Sequence, residues 1–329
     1  MNQMNRRKIQ KTGVATYTVS LPKAWVTRNN VKAGVEVSIS EEEGQTLKIS
    51  LGQKKEEIKE IKIDISEFNN ETELIRKFIS YYVNGFSKIT MKHDTPISNE
   101  YMKRIIEEIK RLIGFEIIEE TDKQIVMQDF FTSNYLSLTK AVRREFNLSK
   151  LIIQENKRIL NKEVNTLDNV LLWEAEINRL YLLSRRQINF ALQNSQILNQ
   201  LEITIKKCQE LLMLIGNIEK MADSFVEISV RSIRFQRRQK RVLEQINRVY
   251  DEFLGAYDQA FESVFKNDFA LSNNAIAKYS EIKKMSISLE KLRINEKDAK
   301  SYYILFSKLK STSNYIEDIA EIGLDKCDP

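Results

Sequence analysis

The sequence predicts a multi-domain α+β protein: a short strand-rich head, a small βαβαββ layer and a long all-helical body. Three observations carry that prediction. Six of the nine glycines and two of the three prolines lie before residue 115, whereas residues 129–328 contain no proline and only Gly216, Gly255 and Gly323. A stretch of that length without breakers reads as long helices. Near the N-terminus, Tyr17, Val19 and Leu21 alternate with Thr16, Thr18 and Ser20, the period of a half-buried strand. Further on, Leu211, Leu214, Ile215, Ile218, Met221, Ala222, Phe225 and Ile228 recur every three or four positions, the apolar stripe of a helix in a bundle.

Taken in order, residues 1–52 form the first module. "KIQKTG" and "TYTVSLP" are strands around a turn at Gly13, and Pro22 closes the second strand and opens a short helix in "KAWVTRNN". "VEVSIS" and "TLKISL" make a hairpin across "EEEGQ". So few residues cannot close a core alone, and pairing with a second copy is expected. Residues 53–128 alternate: strand "KEIKIDI", helix "ETELIRKFISYYVN" ending at Gly85, strand "SKITMKH", a helix capped by Ser98 and stopped at Gly114, then a hairpin of "FEIIEET" and "KQIVMQD". This βαβαββ order suggests a small sheet with both helices on one face. Residues 129–238 and 239–329 read as two three-helix units in tandem.

Composition narrows the chemistry. The chain has 329 residues, 42% hydrophobic and 30% charged, with a formal net charge of +6. No apolar run approaches the length of a membrane span, and the cations of "MNQMNRRKIQ" precede no apolar segment, so a cytoplasmic protein without membrane insertion is expected. His93 is the one histidine, which removes Ser-His-Asp and Cys-His catalysis and His-based zinc sites. Cys208 and Cys327 stand outside any CxxC spacing. With no convergent nucleophile or nucleotide-binding loop, an enzyme is not expected.

Charge is unevenly placed. From Met1 to Lys32 there are seven cations and no acid; the first is Glu36. A small basic segment on a near-neutral body is the footprint of a polyanion binder. Arg6, Arg7, Lys8, Lys11, Lys23 and Arg28 are the candidate phosphate contacts, and the other reading is a merely solvated surface on a dimerisation domain. Trp25 reads as an anchor for a core rather than a base-stacking platform. A second basic run holds Arg231, Arg234, Arg237, Arg238, Lys240 and Arg241. It is either a solvated inter-repeat helix or an anion or partner contact.

"RKIQKTGVATYTVSLPKAWV" followed by "VKAGVEVSIS" resembles the swapped-hairpin β-barrel of the AbrB/SpoVT family. That resemblance implies two chains interleaving hairpins into one barrel, a homodimer through the head, and DNA binding through basic loops. "LDNVLLWEAEINRLYLLSRRQINFAL" and "IGNIEKMADSFVEIS" resemble the second and third helices of the PhoU family, so the chain as a whole is similar to archaeal phosphate uptake regulators. The PhoU resemblance implies acidic pairs that hold a divalent metal or an iron or zinc cluster. Glu219 and Asp223 match one pair, sharing a helix face at i and i+4, while Glu174 has Asn178 where an acid is usual. The bland alternative is an acidic edge paired with neighbours such as Lys220. In the second unit the equivalent positions are Tyr279, Lys283, Lys310 and Asn314, and no metal is expected there because lysine is not a carboxylate ligand.

The reading that follows is a DNA-binding regulator of phosphate uptake or homeostasis with a helical sensor or interaction body. The alternative is a PhoU-like adaptor that acts on a phosphate transporter or signalling partner by protein contact alone.

Overall fold

The computed structural model describes residues 6–42, 46–51, 59–130, 137–193, 197–198, 203–235, 239–294 and 296–325. The chain divides into two compact units, Met1–Ile58 and Lys59–Pro329.

In the first unit, β1 (Gln10–Thr12) pairs antiparallel with β2 (Thr16–Thr18) around Gly13, whose φ of +76° is the left-handed conformation that glycine adopts without strain. Helix α1 (Lys23–Arg28) follows from Pro22, whose carbonyl accepts the Trp25 N–H at 3.0 Å. β3 (Val37–Glu42) and β4 (Thr46–Leu51) form the second hairpin. The register sets Val37 opposite Leu51 and Ile39 opposite Ile49, so the apolar residues share one face. The two hairpins are separate two-stranded sheets in the single chain.

The second unit opens with the sheet layer. β5 (Glu60–Asp64), β6 (Lys88–Lys92), β7 (Phe115–Glu120) and β8 (Gln124–Asp129) lie in the order β5-β6-β8-β7, with β5 and β6 parallel and the other pairs antiparallel. Ile63, Ile89, Met91, Ile125 and Met127 point to one face, where they pack with Leu74, Phe78 and Tyr82 of α2 (Glu71–Val83) and Met102, Ile105 and Ile109 of α3 (Asn99–Ile109). Both helices start on side-chain caps: Asn70 accepts the Glu73 N–H at 3.0 Å and Ser98 the Tyr101 N–H at 3.3 Å.

The helical body holds α4 (Leu138–Leu160), α5 (Asp168–Gln193), α6 (Ile205–Ser232), α7 (Lys240–Lys266), α8 (Phe269–Glu290), α9 (Glu296–Thr312) and α10 (Asn314–Leu324). α4, α5 and α6 pack mutually, as do α7, α8 and α10. Every member of the apolar stripe from Leu211 to Ile228 is buried. Polar bonds cross the core between the two bundles: Ser149 and Tyr257 hydroxyls lie 2.8 Å apart, and Tyr250 donates to Asn156, which itself donates to Ser229 within the first bundle at 2.8 Å. Near the C-terminus, a Cβ on Gly323 would overlap the Ser263 and Ser272 hydroxyls, and Ser263 is already tied to the Ala260 carbonyl at 2.7 Å. Gly323→Ala is expected to cost about 1–3 kcal/mol by overpacking, read as a lower urea midpoint with unchanged slope.

α5 also seats the sheet layer on the bundle. The C-terminal carbonyls of α2, which have no partner within their own helix, are taken by α5: Arg186 donates to the Tyr82 carbonyl and Asn189 to the Val83 carbonyl at 3.1 Å. Arg186 also pairs with Asp129 at the end of β8 and lies over the Tyr82 and Phe115 rings, 4.8 and 5.2 Å from their centroids. Arg179 reaches the Arg111 carbonyl at 3.2 Å, and Lys59 bonds Gln193.

Candidate functional site

Each of Arg6, Arg7, Lys8, Lys11, Lys23 and Arg28 is exposed, and none forms an ion pair among the described residues. Charge without an ion-pair partner among the described residues is available to an external polyanion. The apolar residues of the same unit tell a second story. None of its residues with described exposure is buried; Tyr17 is 66% exposed, Ile39 62% and Leu47 67%, and Trp25 is only half covered. Strands patterned for a core therefore bury no side chain among the described residues of this unit, and an isolated two-stranded hairpin is marginal in water.

The second basic run differs from the expected inter-repeat helix. α6 ends at Ser232 and α7 begins at Lys240, so these cations are divided between two helix ends and their connection. Arg231 pairs with Glu227 at 2.9 Å, and Glu227 also takes Lys308 at 2.5 Å; these two cations hold its carboxyl below the ordinary range. Arg234 is exposed beside Phe235, which is buried against Tyr302 with ring centroids 4.7 Å apart. Arg237 and Arg238 lie outside the described residues. Lys240 and Arg241 occupy the first turn of α7, which has no acid and no side-chain cap, an arrangement the helix dipole disfavours.

In the first bundle, α5 and α6 bring the acids of the sequence motif together. Burial and then the Asp223 charge push the Glu219 carboxyl up, Glu174 adds to the effect, and Lys220 and Arg185 oppose it. Asp223 is raised by burial and by Glu174. The fourth member is already engaged, since Asn178 donates to Glu174 at 2.9 Å. Among the described residues, no group of three or more His, Cys, Asp or Glu side chains is arranged to hold a metal ion. The set is thus an electrostatic neighbourhood, not a ready ligand shell, and no metal or cluster chemistry is built on it.

Beneath these acids sits one that the motif does not include. Glu145 of α4 is fully buried; its Oε1 accepts the Ser184 hydroxyl at 2.7 Å and its Oε2 has no hydrogen-bond partner among the described residues. Burial, with a smaller contribution from Glu219 and against the Ser184 bond, pushes its pKa up to about 8. The sequence signal was its position: Glu145 falls on the α4 stripe of Leu138, Ala141, Val142, Phe146 and Ile152.

The second bundle brings its equivalent positions together differently. Lys283 donates to the Tyr279 hydroxyl at 2.9 Å, which donates in turn to Asn314 Oδ1 at 3.1 Å across α8 and α10. Lys310 lies one turn before Asn314, its ammonium 3.7 Å from Glu290. His93 accepts the Thr95 N–H at 3.1 Å in a local turn, and Cys208 is buried; Cys327 lies outside the described residues.

Comparison with known families places the class of the first unit. Residues 10–59 match the family model described as antidote-toxin recognition MazE, bacterial antitoxin, which supports a head of the MazE/AbrB type. Neither the curated proteins nor the solved structures yield a match to the chain. No helix among the described residues is long and apolar enough to cross a membrane.

Proposed function

We propose that this chain is a non-enzymatic, cytoplasmic DNA-binding regulator of phosphate uptake or homeostasis. Its MazE/AbrB-type head forms a homodimer, and its PhoU-like helical body receives a signal or contacts a phosphate-transport or signalling protein. The single observation that carries the DNA-binding reading is the pairing of exposed apolar strands with exposed cations that form no ion pair among the described residues, Lys11, Lys23 and Arg28 within the matched residues and Arg6, Arg7 and Lys8 just before them. A second copy would cover the apolar strands and place two basic surfaces on one duplex. Phosphate contacts from the six cations would supply affinity and position; base readout is a separate matter. The basic run from Arg231 to Arg241 is an anion or partner contact in this reading. Support for the phosphate role comes from the resemblance of the helical segments alone.

The experiment places charge on the apolar face. Full-length Ile39→Asp/Leu47→Asp is expected to sediment as a monomer and to lose DNA binding in the same step, because each chain would then present half the cations. A double variant that remains dimeric and binds DNA unchanged would reject the shared-barrel head. Pull-down of genomic DNA from cells in high and low phosphate then tests the process, with enrichment at phosphate-transport promoters in one condition expected. Toxin recognition in the matched family's description is a protein contact, and it favours a second reading in which the head is only a clasp. That reading expects dimerisation with no DNA binding at low salt.

A further inference from the structure

The two bundles differ at the positions that the resemblance makes equivalent. Glu174, Glu219 and Asp223 gather between α5 and α6, whereas Tyr279, Lys283, Lys310 and Asn314 occupy α8 and the α9–α10 break. Tyr279 is buried, and its hydroxyl is held from both sides. Because Asn314 turns its carbonyl oxygen to that hydroxyl, its amide NH2 is directed elsewhere. Lys283 spends one N–H on the same hydroxyl and keeps two, with its ammonium 5.2 Å from the tyrosine ring centroid. An ammonium and an amide donor are thus fixed around one atom, close enough to serve two oxygens of a single small anion. The chain breaks between α9 and α10 at this point: Ser313 bonds back to the Lys310 carbonyl at 2.7 Å, and α10 starts at Asn314.

From this geometry we infer that the second bundle binds a small oxyanion of the phosphate type on Lys283 and Asn314, with Tyr279 as the positioning residue. Glu317, one turn into α10, faces Lys283 and opposes the anion. The site is open to water, so affinity in the millimolar range is expected. The inference does not depend on DNA binding by the head.

The test uses the full chain and inorganic phosphate, with sulfate and a phosphate monoester as further arms. Since head cations also attract phosphate, hydrogen exchange is read separately at residues 279–283 and 313–317. Phosphate is expected to slow exchange there, with Lys283→Gln or Asn314→Ala weakening the effect about tenfold and Glu317→Gln strengthening it. Tyr279→Phe is expected to weaken it while leaving the fold intact by circular dichroism. Equal protection by phosphate and monoester identifies a terminal phosphoryl group as the ligand; protection by the monoester alone identifies an organic phosphate. Protection confined to the head, or equal protection in Lys283→Gln and Asn314→Ala, would overturn the inference.

Discussion

Arg186→Met is expected to lower the unfolding free energy of the second unit by about 3–5 kcal/mol, the range for removing one partner of a buried ion pair. Arg186 is 7% exposed and ties three things at once: the Asp129 carboxylate, the Tyr82 carbonyl at the end of α2, and the faces of Tyr82 and Phe115. Methionine replaces the stem and none of the donors, so an anionic carboxylate and a helix-end carbonyl lose this cation while remaining shielded from water. Urea unfolding gives the magnitude. Hydrogen exchange should place the loss in α2, β8 and the C-terminal half of α5, and Arg186→Met/Asp129→Leu should recover part of it. A loss below about 1 kcal/mol would mean that the sheet layer is held by apolar packing alone.

Glu145→Gln is expected to act in the opposite direction and to depend on pH. The folded chain holds the Glu145 proton up to about pH 8, against an ordinary value of 4.5. A raised folded pKa means that the group's full contribution to stability is present below pH 4.5. The contribution is lost as pH climbs through about 8, and it is constant beyond. Glutamine keeps the shape and the Ser184 contact and has nothing to ionise. The stability difference, variant minus parent, should therefore be near zero at pH 4. It should grow through neutrality and reach on the order of 4 kcal/mol at pH 9. Glu219 and Asp223 are also raised, and they remain in both proteins, so the difference isolates Glu145. A flat difference between pH 4 and 9 would show that Glu145 meets water or a cation that the folded geometry does not display.

The periodic parts of this protein were legible from residues alone. Gly85 and Gly114 end α2 and the turn after α3 with φ of +83° and +87°, and "SKITMKH" contains β6. What escaped the sequence depends on distant partners. Arg186 is one cation in "LLSRRQ", and its partners lie 104 and 57 residues away, so nothing local separates it from exposed Arg-rich helix surface. Acid spacing placed Glu219 and Asp223 on one face, but only the packing of α5 against α6 brings Glu174 to them and leaves Asn178 bonded to Glu174 instead of free for a ligand. The second basic run shows a related limit: similar cations do not say whether a helix continues through them, and here it stops at Ser232. The head is the reverse case. Its pattern calls for a core, yet Tyr17 and Val19 of "TYTVSL" stay exposed and no described residue of the unit is buried.

The most direct measurement is the affinity of the full-length protein for a duplex as a function of salt. A dimeric head with six phosphate contacts per chain, about twelve in all, should give a log–log slope of roughly −11. Changing Arg6, Arg7 and Lys11 to Ala should make that slope shallower and weaken binding by similar factors on unrelated sequences. Absence of binding at low salt, or a slope unmoved by those three substitutions, would contradict the assignment of the head's cations to DNA.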